Sequence, residues 1–138
     1  MAKAAPKLVT FKKFFDDRGS LSVIEALRDV PFPIKRVFYF YDIPAGANRG
    51  SHAHKVQHQC IVCLSGGFDV LLDDGRRKRT VHLKRPWQGL HIPPMVWASQ
   101  VRFYSGTVGL VVASDHFDES DYIRDYGEFL RAVRKGMA

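Results

Sequence analysis

The sequence of 138 residues has little of what marks several common classes of protein. Two cysteines are too few for a disulfide framework. No run reaches the roughly 18 apolar residues that a membrane-spanning helix requires, so we expect no membrane partner. Internal repeats and Pro-, Gly- or Ser-rich linkers are also missing, which excludes repeat arrays and flexibly joined modules. We therefore expect a single domain over residues 1–138.

The few cysteines and the first residues predict the compartment. Lysines without a following apolar stretch occupy residues 1–7, so we expect no secretory signal. Cys60 and Cys63 lie in an apolar run, where the side chains of a strand would place them on opposite faces. This favours two buried thiols in a reducing compartment over a redox pair. Together these features predict a cytoplasmic protein.

The charge is the first positive signal. A net charge of +7 favours an anionic partner. The densest basic run, residues 76–79, follows an Asp-Asp-Gly turn and is typical of an exposed hairpin strand. No helix-turn-helix, zinc-finger or RNA-binding motif accompanies it, so we expect no nucleic-acid partner. A phosphorylated small molecule fits the charge better.

Short apolar or alternating segments between turn residues indicate a sandwich or barrel. The predicted strands cover residues 8–12, 21–26, 34–42, 58–64, 68–73, 79–83, 89–92, 96–104 and 108–114. Residues 121–135 instead have helical periodicity. The apolar stripe of this helix consists of Tyr122, Tyr126, Phe129, Leu130 and Val133. The sequence therefore predicts an all-β domain with a C-terminal α-helix.

Closely spaced histidines are the strongest chemical signal. His52 and His54 are two positions apart, so their imidazoles share one face of a strand, and His58 joins them if the strand continues. Histidine is suited to proton transfer near neutral pH and is also the commonest metal ligand. The spacing therefore predicts either a reactive imidazole cluster or a three-histidine metal site.

The His-x-His pattern after a glycine resembles the first cupin motif, and residues 89–98 resemble the second. The resemblance implies a cupin, or jelly-roll, β-barrel. At the two later ligand positions of metal-binding cupins this chain has His58 or Gln59, and Ala98. Because Ala98 cannot bind a metal, we expect no metal ion and no other cofactor. A metal-dependent cupin oxygenase that uses His58 is the alternative.

Seven segments resemble the nucleotide-sugar 3,4-ketoisomerases of the WxcM-like cupin family. They are residues 14–21, 34–39, 49–55, 71–75, 89–97, 113–115 and 118–124. The combination of R-G-x-H-A-H-K with D-E-x-D-Y-I-R is more specific than either motif alone. The resemblance implies a homodimeric isomerase that converts a dTDP-4-keto-6-deoxyhexose to its 3-keto isomer through an enediol, in dideoxy-aminosugar biosynthesis. A non-catalytic module that binds nucleotide sugars is a further alternative.

The resemblance also implies roles for individual residues. His54 is predicted to be the carbon base and His52 its oxygen-side partner, one imidazole basic and the other protonated. Tyr39 is predicted to hydrogen-bond the enediol oxygen, with a packing role as the alternative. Contacts to the diphosphate or the nucleotide base are predicted for Arg18, Arg49, Arg36 and Trp97.

Overall fold

The computed structural model describes residues 4–137, which form two five-stranded antiparallel sheets and a separate hairpin. The first sheet has the order β1 (Lys7–Thr10), β9 (Gln88–Ile92), β6 (Gln59–Ser65), β11 (Val108–Ala113) and β4 (Arg36–Phe40). The second has the order β12 (Tyr122–Ile123), β5 (Arg49–His54), β10 (Trp97–Val101), β7 (Phe68–Asp73) and β8 (Lys78–Leu83). The hairpin is β2 (Lys13–Asp16) and β3 (Gly19–Ser22).

A 3-10 turn (Glu119–Asp121) and one α-helix, α1 (Tyr126–Met137), complete the chain. The predicted all-β jelly-roll fold with a C-terminal helix is thereby confirmed. Within the described range no helix is long and apolar enough to cross a membrane. The single domain over 1–138 stays a prediction, since residues 1–3 and 138, including part of the segment examined for a signal, lie outside the described residues.

Alternating side chains from both sheets fill the space between them, which we call the inner core. Its buried members include Phe40, Ile61, Cys63, Phe68, Val70, Leu72, Leu83, Leu90, Ile92, Ala98 and Val111. Burial of these side chains supplies the main driving force for closing one sheet onto the other.

Both sheets also carry apolar side chains on their outer faces. Phe11, Phe32, Cys60 and Val62 belong to a cluster that covers the first sheet. On the second sheet, α1 packs against Ala53, mainly through its Phe129 and Val133 side chains. The sandwich therefore has three apolar layers, which are the inner core and the two outer clusters. A polar side chain on an inner face is an exception in these surroundings.

Strand β6 is buried on both faces, which explains the two cysteines. Cys63 and Ile61 belong to the inner core, whereas Cys60 and Val62 face the outer cluster. The prediction of two buried thiols on opposite faces is confirmed. Burial raises the pKa of Cys60 to about 12, so a reactive thiolate is disfavoured.

The helix begins five residues later than the sequence predicts. Its cap is Asp125, whose carboxylate accepts a hydrogen bond from the Glu128 backbone N–H at 2.8 Å. Tyr122 has the spacing of the helical stripe but lies in β12, paired with His54 of β5. The pairing between these strands overrides the local helical periodicity.

The sequence does not predict β5 as a separate strand. Its segment lacks an apolar alternation, because histidines rather than aliphatic side chains occupy inward positions. Gly50 has a φ of +70°, which also interrupts the regular pattern. The strand that carries the most informative motif therefore has a weak strand signal.

Gly109 of β11 lies against the buried ring of Phe40, and a Cβ at this position would overlap that ring. Phe40 itself packs against Phe68 and Phe103, which restrict its movement. We expect Gly109→Ala to reduce the free energy of unfolding by about 1–3 kcal/mol, measured by urea denaturation. Gly136→Ala, in α1 with open space around it, is the matched control and should not destabilise. Equal stability of the two variants would contradict this account of the core.

Candidate active site

Strand β5 presents His52 and His54 toward the space between the sheets. Ala53, which lies between them, packs outward against α1. Ala98, the partner of His52 on β10, belongs to the inner core. Because neighbouring side chains of a strand alternate, both imidazoles face inward, and the predicted shared face is confirmed.

Tyr122 joins the two histidines. It pairs with His54 across β12 and β5, so its ring projects from the same face. Ring centroids are 5.0 Å apart for His52 and His54, 4.9 Å for His52 and Tyr122, and 4.3 Å for His54 and Tyr122. We call these three residues the His–Tyr cluster. Three side chains that can carry protons thus touch one another inside the sandwich.

A carboxylate fixes the orientation of His54. Asp121 Oδ2 lies 3.0 Å from His54 Nδ1, and Asp121 Oδ1 accepts a hydrogen bond from the Val56 N–H at 2.7 Å. The Gln57 N–H also donates to Oδ2, at 3.2 Å. Such a partner determines which imidazole nitrogen carries the proton. Helical periodicity predicts Asp121 at the start of the helix and does not reveal this role, although Asp121 lies in the D-E-x-D-Y-I-R motif.

Arg36 of β4 approaches the His–Tyr cluster from the opposite sheet. Its guanidinium donates to Gln57 Oε1 and to the Tyr122 hydroxyl, both at 3.4 Å. The Gln57 amide nitrogen lies 3.1 Å from His54 Nδ1. Within the described residues, the buried Arg36 Nε has no hydrogen-bond partner. Arg36 therefore keeps one buried N–H whose hydrogen-bonding capacity the protein leaves unused.

Burial determines the charge state of the two histidines. It lowers the pKa of His52 to about 4, and the neighbouring His54 adds to the effect. Burial also lowers the pKa of His54, against the opposing influence of Asp121. Both imidazoles are therefore neutral at pH 7. The expectation of one basic and one protonated imidazole does not match this environment.

The two histidines differ in access. His54 is 6% exposed, with Asp121 and Gln57 at its ring. His52 is partly exposed, and no side chain in the described range hydrogen-bonds to it. His52 thus has ring nitrogens open to a ligand, whereas His54 is held by the protein.

His58 does not join the cluster. The chain turns between β5 and β6, which ends the alternation, and His58 stacks on His91 with centroids 5.3 Å apart. Both rings contact Phe32 of the outer cluster on the first sheet. The alternative of a metal site formed by His52, His54 and His58 is therefore not supported by this arrangement. Among residues 4–137 no group of three or more His, Cys, Asp or Glu side chains is arranged to hold a metal ion.

Two further site predictions are corrected. Tyr39 neighbours the inward Phe40 on β4, so alternation turns it outward, where it is 63% exposed and lies beside Tyr41. Trp97 lies on the outer face of the second sheet and packs against Phe129 of α1 at 5.7 Å. Neither ring reaches the histidines of its own chain.

The remaining predicted arginines have different positions. Arg49 begins β5, and its guanidinium lies 5.6 Å from the ring centroid of the inner-core Phe40. Arg18 lies at the tip of the β2–β3 hairpin, with its side chain 90% exposed and paired with Asp16 at 2.6 Å. The structure therefore brings Arg36 and Arg49 to the inner face near the histidines, but not Arg18.

The family model described as FdtA, WxcM-like, C-terminal, matches residues 4–134. The chain belongs to this FdtA family. A curated relative from Aneurinibacillus thermoaerophilus, TDP-4-oxo-6-deoxy-alpha-D-glucose-3,4-oxoisomerase, is 45% identical over 129 residues, covering 94% of this chain and 93% of the relative.

Solved structures of relatives agree with the FdtA family assignment. The sugar 3,4-ketoisomerase QdtA from Thermoanaerobacterium thermosaccharolyticum, in complex with TDP, matches with a TM-score of 0.93 and 38% identity, covering 96% of this chain and 97% of QdtA. A 3,4-ketoisomerase from Helicobacter canadensis matches with a TM-score of 0.91 and 42% identity, covering 94% and 97% of the two chains.

The buried histidines predict acid sensitivity. Burial lowers the pKa of His91 to about 4, and the adjacent His58 contributes. The unfolded chain, with a histidine pKa near 6.5, binds the proton more tightly, so stability falls as the pH decreases from about 6.5 toward 4. We expect His91 to account for on the order of 1–2 kcal/mol of the loss between pH 7.5 and 4.5.

Urea denaturation of His91→Gln should therefore show a smaller loss of unfolding free energy across this pH range than the native protein. His116→Gln, at an exposed histidine, is the control and should lose as much stability as the native protein. A His91→Gln pH dependence equal to that of the control would show that His91 is not the responsible group.

Proposed function

We propose that this protein is an isomerase that converts a dTDP-4-keto-6-deoxyhexose to its 3-keto isomer. The observation that supports this proposal most strongly is the contact between two imidazoles: that of His52, which is neutral and partly exposed, and that of His54, which is hydrogen-bonded to Asp121. Its relatives are named 3,4-oxoisomerase or 3,4-ketoisomerase, and QdtA was solved with TDP. A 3-keto product suits amination at C3, in keeping with dideoxy-aminosugar biosynthesis.

The reaction requires proton transfer without net oxidation. The C4 carbonyl acidifies the hydrogen on C3, and a base removes it as the electrons move toward the C4 oxygen. The resulting enediol loses its O3 proton and takes a proton at C4, which leaves the ketone at C3. One hydrogen has moved between carbons and one proton between oxygens. Neutral imidazole is suited to the carbon step near neutral pH.

The environments of the histidines favour the reverse of the order predicted from the sequence. His52 has unbonded ring nitrogens and is partly exposed, so it is the imidazole that can approach C3. His54 is buried and bonded to Asp121, which suits it to hold the ring arrangement beside His52. We therefore propose His52 as the carbon base and His54 as its partner.

Cations near the histidines suit the rest of the substrate. Arg36 has a buried N–H without a protein partner, and Arg49 lies along the same inner face. Guanidinium groups bind phosphate and carbonyl oxygens with directed hydrogen bonds. We propose that Arg49 binds the diphosphate while Arg36 faces the sugar. Two buried free thiols are compatible with the reducing cytoplasm.

A homodimer is part of this proposal. Phe14, Phe15 and Leu21 on the β2–β3 hairpin are 55%, 78% and 58% exposed, and Tyr39 and Tyr41 are 63% and 59% exposed. Apolar exposure of this extent marks an interaction surface. In such a dimer, Arg18 at the hairpin tip could contact the substrate bound by the other subunit.

The alternative functions now differ in support. A metal-dependent oxygenase needs a third ligand beside His52 and His54, and His58 lies on the other side of the first sheet. A non-catalytic binding module would use the same residues without turnover. The assay below separates this module from the isomerase.

The test of the proposed function is proton NMR of chelator-treated protein with dTDP-4-keto-6-deoxyglucose in D₂O. We expect the signals of the 4-keto sugar to be replaced by those of a 3-keto sugar. His52→Asn should lower kcat by roughly 10²–10⁴, the usual loss of a general base, while nucleotide binding persists. Tight binding without turnover by the native protein would instead indicate the binding module.

The homodimer is tested by gel filtration with light scattering. We expect the native protein to elute with the mass of two chains, and Phe15→Glu to shift it toward one chain by placing a charge in the apolar surface. Tyr104→Glu, at a ring that is 52% exposed on another surface, should leave the dimer intact. A single-chain mass for the native protein would remove this part of the proposal.

A further inference from the structure

The proposed isomerisation leaves one task without a residue, the transfer of a proton between O3 and O4. The group responsible must lie beside the carbon base and exchange a proton with oxygen. Burial lowers the pKa of both His52 and His54, so neither is an imidazolium at neutral pH before the C3 proton is removed. His54 Nδ1 is in addition occupied by Asp121. A hydroxyl beside the two imidazoles, with an O–H of its own, would suit this task.

Of the five tyrosines, all of which lie in the described part of the chain, Tyr122 alone is placed for this task. Tyr39 and Tyr41 face outward from the first sheet, Tyr104 lies near His82, and Tyr126 donates to Asp73 at 2.5 Å. Phe38, the inward aromatic neighbour of Arg36, has no hydroxyl. Tyr122 contacts both histidines at centroid distances of 4.9 and 4.3 Å.

The Tyr122 ring is held from several sides. Arg124 lies 4.3 Å from its centroid, and Phe117 lies 5.6 Å away. Its backbone is fixed by pairing with His54. A ring held in this way keeps its hydroxyl at one place beside the histidines, as a catalytic proton carrier requires.

The hydroxyl of Tyr122 faces a cation. Arg36 Nη2 lies 3.4 Å from this oxygen, while the Arg36 Nε N–H is buried without a protein partner. A guanidinium in this position stabilises negative charge on a phenolate or on an enediolate oxygen beside it. Tyr122 and Arg36 thus form one hydrogen-bonded unit beside His52 and His54.

We infer that Tyr122 is a further catalytic residue, whose phenol gives its proton to O4 and then receives the proton of O3. The inference rests on the proposed ketoisomerase function. As His52 takes the C3 proton, electrons move onto O4, which the phenol protonates to complete the enediol. The phenolate, beside Arg36, then removes the O3 proton while the imidazolium of His52 protonates C4. Tyr122 and His52 end in their starting protonation states, and no oxidant or reductant is consumed.

The test is Tyr122→Phe, assayed by proton NMR in D₂O with dTDP-4-keto-6-deoxyglucose. Two rates are read from the same spectra: entry of deuterium at C3 of the remaining substrate, and formation of the 3-keto sugar. Phenylalanine retains the ring contacts and removes only the hydroxyl, so the variant should fold like the native protein. Tyr104→Phe, at an exposed tyrosine near His82, is the matched control.

We expect Tyr122→Phe to lower formation of the 3-keto sugar by roughly 10²–10⁴, the usual contribution of a general acid–base group. Deuterium entry at C3 should fall less, because His52 can still remove the proton and return a deuteron to the same carbon. The ratio of exchange to isomerisation should therefore rise by about tenfold or more. Tyr104→Phe should change neither rate.

Two outcomes would overturn the role of Tyr122: native-like isomerisation by Tyr122→Phe, or an equal fall in both rates that leaves their ratio unchanged, as loss of packing alone would produce. Failure of the proposed function looks different, because the native protein itself would then show neither exchange nor 3-keto sugar. In that case the proposed isomerisation is wrong, and so is the role of Tyr122 in it.

Discussion

The site depends on one carboxylate. Asp121 accepts hydrogen bonds from the Val56 and Gln57 backbone N–H groups and lies 3.0 Å from His54 Nδ1. These contacts join the segment before β12 to the turn after β5, regions 64 or more residues apart in sequence. The same contacts place Tyr122 beside the histidines, because it follows Asp121 directly and pairs with His54. Without the carboxylate, two N–H groups in this turn would lose their partner, and the edge of the second sheet would lose its anchor.

Alternation of side chains along β5 places His52 and His54 on the inner face, beside the segment that Asp121 holds. Apolar clusters cover the outer faces of both sheets. The polar side chains of β5 that point inward therefore lie between the two sheets. His52 and His54 are neutral there because burial disfavours the imidazolium. A neutral base in a partly enclosed site is ready to take a proton from carbon without first losing one to water. The packing of the sandwich and the protonation state of the site are thus consequences of the same burial.

Sequence patterns predict what depends on local spacing and miss what depends on distant pairing. The shared face of His52 and His54 follows from their spacing in any strand, and it is confirmed. The same rule fails for His58, because the strand ends before it. The sequence does not show which side chains of β4 point inward. Tyr39 directly precedes the inward Phe40, so alternation along the strand turns Tyr39 outward and away from the site. Spacing alone does not assign Tyr122 and Asp121 to the site, since their segment has helical periodicity and only its pairing with β5 brings it there. The D-E-x-D-Y-I-R motif is the one signal in the sequence that points to them.

Two arginines lie near Tyr122, and their partners determine how far the charge of each is compensated. Arg124 is engaged by Glu119 through two hydrogen bonds of 2.6 and 2.9 Å, and this pair is exposed to solvent. Its charge is therefore largely compensated and screened, which leaves it a packing role against the Tyr122 ring. Arg36 has no carboxylate partner in the described range, is partly buried and keeps an unbonded N–H. An enediolate has its charge on oxygen for only part of the reaction, and an uncompensated cation inside the sandwich stabilises that charge more than any exposed one. Under the proposed function, Arg36 of β4, on the sheet opposite the histidines, is therefore the cation expected to stabilise this charge.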